Sequence, residues 1–184
     1  MPRKYFRKYL PDPDAVRSSR MVAAFGPWLQ HPNLWHLNRR SVSGAVAIGL
    51  FAGLVPGPLQ MLTALLLAVP LRKNLPVALL VTLYTNPFTI VPLYLLAYGY
   101  GRLLLPQGAY RPPQEPFLFD WADFGGSMQA MGAWMASLGK PLLVGLPALA
   151  LTLAVLGYVL VDLFWRAYVI AAWRARARRR RKRA

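Results

Sequence analysis

Two long uncharged apolar runs set the pattern of the chain, and proline interrupts each near its middle. The first, Ser41 to Leu71, breaks at Pro56-Gly57-Pro58, and the second, Leu75 to Gly101, breaks at Asn86-Pro87. Soluble domains rarely need more than about 14 such residues in succession, whereas a helix crossing a bilayer needs about 20. The runs therefore predict an integral membrane protein. Two broken segments in succession also point to a transporter-like site at the midplane, because irregular backbone survives at that depth only when packed in protein or lining a wet cavity. The alternative is a pair of proline kinks that only shape packing.

As one helix, Ser41 to Leu71 would be about 46 Å long against a hydrocarbon core of about 30 Å. Split at the prolines, its halves are each about 20 Å, short of a crossing. A re-entrant hairpin fits these lengths and returns Arg72-Lys73 to the side of Arg39-Arg40, as the positive-inside rule prefers. Two thin, tilted crossings are the competing arrangement. The 75–101 segment suffices for one kinked crossing. Within the first run, Gly44, Gly49 and Gly53 mark a face for close helix approach.

Outside the two runs, residues 1–40 read as a basic, amphipathic cytoplasmic arm, with Trp28 and Trp35 suited to the headgroup belt. No cleavable signal peptide is expected, because the first apolar stretch follows this basic leader. The 103–140 stretch holds Glu115, Asp120 and Asp123 and is the expected non-cytoplasmic loop, with an interfacial helix within Phe117 to Leu138. Pro141 to Val161 is the clearest single span, and Asp162 and Arg166 beyond it stand one helical turn apart, positioned to pair. The expected organisation is one membrane domain, 41–173, followed by an Arg-rich cytoplasmic tail, 174–184. The expected fold class is an all-α integral membrane protein: a re-entrant helical hairpin, a kinked spanning helix, a C-terminal spanning helix and interfacial helices.

Composition narrows the chemistry. The 184 residues contain no cysteine, which removes disulfides, thiolate nucleophiles and Cys-ligated metals. His31 and His36 lack an acidic neighbour and are expected at the surface, so neither a metal nor a cofactor is expected. No nucleophile with a base, no paired carboxylates and no glycine-rich phosphate loop appears, which argues against an enzyme. The net charge of +16 is concentrated at the flanks of the apolar body. Such flanks first imply orientation and anionic lipid, here through Arg39, Arg40, Arg72, Lys73, Arg178, Arg179, Arg180 and Arg181. Nucleic acid is not expected as a partner, because no aromatic residue follows Trp173 to stack on a base.

Candidate solute-binding residues are the polar groups at the breaks, Gln60, Thr85, Asn86 and Thr89, with Asn74 at the boundary between the runs. Gln60 opens the half-helix after Pro58, where free N–H groups and the dipole favour an anionic group. At the second break Pro87 frees a carbonyl of the preceding turn. Neutral hydrogen-bonding groups there either bind a polar solute or satisfy the broken backbone.

Five marks together resemble one bacterial membrane family, domain of unknown function 2062. They are Asn38-Arg39-Arg40, the run from Gly49 to Pro56, Gln60, Arg72 with Asn74, and Asn86-Pro87 with Thr89. The resemblance covers Leu34 to Leu104 well and the last span loosely. It implies a bacterial inner-membrane location and, because relatives are joined to glycosyltransferase domains, an envelope or lipid-linked sugar context. Two functions are expected from different classes. One is a transporter or flippase-like protein for a polar or anionic envelope solute, oligomeric because so few embedded elements make no ordinary monomeric transporter. The other is a non-catalytic scaffold recruiting an envelope glycosyltransferase. Both termini are expected in the cytoplasm.

Overall fold

The computed structural model describes residues 31–57, 59–106, 120 and 122–181, with backbone only at 175 and 177–181. The expected amphipathic helix of the N-terminal arm, Pro58 and most of the turn-rich part of the 103–140 loop lie outside the described residues. Those described are helical throughout, without a strand: a 3-10 turn at Pro32–Leu34, then α1 (Arg39–Gly53), α2 (Leu59–Ala68), α3 (Leu75–Thr82), α4 (Ile90–Leu104), α5 (Phe124–Ser137) and α6 (Gly139–Arg181).

Local chemistry places most of these ends. Asn38 caps α1, its side-chain oxygen accepting the Ser41 N–H at 2.8 Å, and Asn74 caps α3 through the Val77 N–H at 3.0 Å. Asp123 caps α5 through the Gly126 N–H. The first break follows Leu54, and Gly57 turns the chain at φ +65°, a left-handed conformation open to glycine at no steric cost. At the far end of α2 the Arg72 N–H bonds Val69 and the Lys73 N–H bonds Ala68, the paired bonds of a Schellman motif. Its left-handed residue is Arg72, at φ +51°.

The first apolar run is a helical hairpin. Lys73 Nζ donates to the Arg40 carbonyl at 3.4 Å, and the Asn74 N–H reaches the Ser41 carbonyl at 3.5 Å, so α2 brings the chain back to the start of α1. From there α3 runs parallel to α1 in close contact. A Cβ at Gly49 would lie 2.6 Å from the Ala78 carbonyl oxygen, and one at Gly53 would meet the Tyr84 ring. The glycine face is thus used within the chain, against α3.

Helix α6, 43 residues long, is the spine. It runs antiparallel to α1, with Gly157 against Val46 and Leu50 and Asp162 bonded to Arg39. Its other end meets α4 where Gly101 and Gly145 face one another, and a Cβ on either would collide with backbone of the opposite helix. Helix α4 therefore carries on in the direction of α3, and the second apolar run is a single interrupted path. Two cores result. Leu34, Ala45, Ile48, Ala52, Ala64, Ala68, Leu75 and Ala78 pack the hairpin on α3. Leu54, Tyr94, Ala97, Tyr98, Leu138, Leu142, Leu149 and Ala150 join the α1 tip, α4, α6 and the turn before it.

Boundaries differ from the sequence expectation in three places. Leu34 is fully buried and Ser41 Oγ bonds the Asn33 carbonyl, so residues 31–40 belong to the folded body and not to an arm. Helix α4 extends through Arg102 to Leu104. The Arg-rich segment is no separate tail, because α6 continues without interruption to Arg181. Arginine and alanine are among the best helix formers, and no breaker stands between Trp173 and Arg181.

Many large apolar side chains of the described residues face outward. Leu62, Leu66, Leu80, Leu96, Leu103, Leu143, Leu151, Leu160 and Phe164 are all exposed. Among the described residues one helix, α6, is long and apolar enough to cross a membrane, and 22% of its most apolar stretch is buried.

Candidate functional site

Three orphan carbonyls define the place where the two broken segments meet. The last turn of any helix leaves its C=O groups without intrahelical partners. At the end of α1 those of Leu50, Gly53 and the capping residue Leu54 are met by hydroxyls from the second run: Tyr84 to Leu50 at 2.8 Å, Thr85 to Gly53 at 2.6 Å and Tyr94 to Leu54 at 3.1 Å. Tyr94 and Thr85 are buried there, at 1% and 8% exposure.

Thr85 is the centre of this junction. Its oxygen also lies 2.7 Å from the end group of Gln60 and 3.1 Å from the Thr82 carbonyl. A hydroxyl has one proton, so the Gly53 carbonyl, Gln60 Oε1 and the Thr82 carbonyl compete for it, with Gly53 the shortest contact. The Gln60 backbone N–H, in contrast, is bonded to the Gly57 carbonyl at 3.3 Å and is not free.

The second break satisfies itself. Thr89 Oγ donates to the Tyr84 carbonyl at 2.6 Å and accepts the Asn86 N–H, while Asn86 Oδ1 accepts the N–H groups of Phe88 and Thr89. Asn86 is exposed, and its side-chain NH₂ has no partner among the described residues. Pro87 and Pro56 sit half-exposed at the two breaks. Of the residues singled out from the sequence, Gln60, Thr85, Asn86 and Thr89 thus come to one junction. Asn74 does not. It is fully buried at the opposite end of α3, capping that helix and donating to the His36 carbonyl at 3.4 Å. Tyr94 escaped the sequence reading, since a tyrosine in an apolar helix gives no sign that its hydroxyl closes a helix forty residues away.

The basic end is a second cluster. Asp162, 14% exposed, accepts Arg39 Nε at 3.2 Å and Arg166 Nε at 2.8 Å. The Arg166 pair follows the spacing read from the sequence. The Arg39 pair joins the first helix to the last. Arg40 and Arg72 are exposed, and Lys73 is half-buried. Of the expected lipid-facing arginines, 178–181 have described backbone only. Among the described residues no group of His, Asp and Glu could hold a metal.

A helical hairpin and an interrupted helix, joined by hydroxyl-to-carbonyl bonds and laid on one long apolar helix, define a small all-helical protein with an apolar exterior. The chain belongs to the bacterial family described as "Uncharacterized protein conserved in bacteria (DUF2062)", whose model matches residues 22–174. No curated protein and no solved structure matches it.

Proposed function

We propose that the protein is a multi-pass bacterial inner-membrane protein in which the junction of the two breaks handles a polar or anionic envelope solute, as a transporter or flippase-like protein. The observation that carries this reading is the convergence of Gln60, Thr85 and Asn86 at the tip of a hairpin whose outer faces are leucine. The exposed apolar surface supports the membrane part, because a soluble monomer rarely shows contiguous apolar patches beyond a few hundred Å². Length supports it too: Lys140 to Asp162 along α6 is about 33 Å, close to a hydrocarbon core of about 30 Å. In this arrangement the hairpin enters and returns, α3–α4 and α6 each cross once, and both termini are cytoplasmic. Two crossings are few for a transport path, so the active form is a homo-oligomer.

The test is reconstitution into liposomes carrying a fluorescent anionic lipid or its zwitterionic counterpart, with inward movement read by quenching of the outer leaflet. Wild-type protein accelerates movement of the anionic probe, and Gln60→Ala and Asn86→Ala slow it while still inserting. A wild-type chain that moves neither probe, or variants as fast as wild type, overturns the reading. One observation favours a second role, a non-catalytic scaffold for an envelope glycosyltransferase. Helix α6 runs about 28 Å beyond Asp162, exposing Trp173, Arg174 and Arg176.

A further inference from the structure

Four cations stand at the base of the hairpin, and the structure divides them into two kinds. Arg39 is spent within the protein, held on the carboxylate of Asp162. Arg40, Arg72 and Lys73 form no ion pair with any described carboxylate. Two of them are also held in defined positions. Arg72 occupies the left-handed position of the Schellman turn, where glycine is the usual residue because a Cβ is crowded there. Lys73 lies flat across Gly44, where a Cβ would stand 2.6 Å from its Cδ, and its Nζ rests 3.4 Å from the Arg40 carbonyl. An ammonium has three protons, so that single long bond leaves donors to spare. Beside them Leu71 is 56% exposed, an apolar neighbour that suits an acyl chain and does nothing for a free ion.

We propose that the α2–α3 turn is a binding site for the phosphate of an anionic lipid headgroup, made by Arg72 and Lys73 with Arg40, and that Arg39 is a positioning residue which ties α1 to α6. The site rests on the membrane reading given above but not on transport. It gives a reason for an arginine to stand where the backbone favours glycine: its charge serves binding.

The experiment uses the full chain purified in detergent, with thermal stabilisation titrated against phosphatidylglycerol, phosphatidylcholine and inorganic phosphate. Phosphatidylglycerol stabilises the wild type and the other two do not. Arg72→Gly weakens phosphatidylglycerol binding about five-fold, the worth of one basic residue at an anionic surface, yet leaves the lipid-free melting temperature unchanged or raised. Gly44→Ala removes no charge but pushes Lys73 aside, and it weakens binding in the same sense. Arg39→Gln lowers the lipid-free melting temperature and keeps the lipid affinity. Wild-type affinity in both Arg72→Gly and Gly44→Ala overturns the site. Stabilisation by inorganic phosphate equal to that by phosphatidylglycerol overturns the lipid as its ligand. An Arg39→Gln variant that loses as much affinity as Arg72→Gly overturns the division of roles. Alkaline carbonate extraction separates the two levels of argument: release from membranes sinks the membrane reading as well, whereas retention with indifference to phosphatidylglycerol sinks this site alone.

Discussion

At the scale of single residues, the junction depends on hydroxyls that close a foreign helix. Thr85 is the most open to test, because its hydroxyl bonds the Gly53 carbonyl at a buried position. Leaving a buried carbonyl unsatisfied costs about 1–3 kcal/mol, more than the bond's own net worth. Thr85→Val, nearly the same shape without the donor, is expected to destabilise the detergent-solubilised protein by that amount. Thr85→Ser, which keeps the hydroxyl, is expected to recover most of it. Equal melting temperatures for Thr85→Val and the wild type would mean that the carbonyl has another partner. Gln60 and Thr85 are coupled through their shared bond, so part of any loss in Thr85→Val passes to Gln60.

At the scale of elements, α1 and α3 lie so close because of what α1 lacks. Its buried residues are Ser41, Ser43, Gly44, Ala45, Ile48, Gly49, Ala52 and Gly53, almost all small. Small residues let backbones approach, and between apolar helices that packing, more than hydrophobic transfer, holds the pair in lipid. Gly49→Leu would drive a side chain into the Ala78 carbonyl and Val81, and Gly53→Leu into Tyr84, which would also pull the Tyr84 hydroxyl from Leu50. Both variants are expected to lose most of the folded, monodisperse protein on size-exclusion chromatography. Gly99, which meets nothing within 4 Å, is the control: Gly99→Leu is expected to elute as wild type. A normal profile for Gly49→Leu would show that the α1–α3 contact yields without loss.

At the scale of the whole molecule, the decisive feature is which ends share a side. Arg40 and Lys73 are joined by a bond across the base of the hairpin, and Lys140 lies at the opposite end of α6. The chain has no native cysteine, so single cysteines report without background. In oriented membrane vesicles, cysteines placed at Arg40 and Arg72 are expected to react with an impermeant thiol reagent from the same face, and one at Lys140 from the other. Reaction at Arg40 and Arg72 from opposite faces would replace the hairpin with a spanning helix. The charge distribution agrees with this topology, since the arginine-rich end of α6 and Arg39-Arg40 lie on one side and the loop acids Asp120 and Asp123 precede α5 on the other.

The sequence by itself determined the helical class, the two breaks and the charge that flanks the first run; the return of that run was one of its alternatives, and the bonds of Lys73 and Asn74 to the start of α1 decided it. Each of the first three follows from chemistry acting over a few residues: proline's missing N–H, an uncharged run of a given length, basic residues at its ends. It also placed Gln60, Thr85, Asn86 and Thr89 as the polar groups of the breaks. The same local reasoning misjudged the end of α6, where it weighed the charge of the arginine run and not its helix propensity. Only the tertiary structure decided what those groups bond. The pairing of Tyr84, Thr85 and Tyr94 with the end of α1, of Arg39 with Asp162, and of Gly101 with Gly145 joins positions far apart in sequence. Such contacts are set by the packing of all the helices at once, because a hydroxyl or a carboxylate finds its partner only after the backbones have been brought within reach.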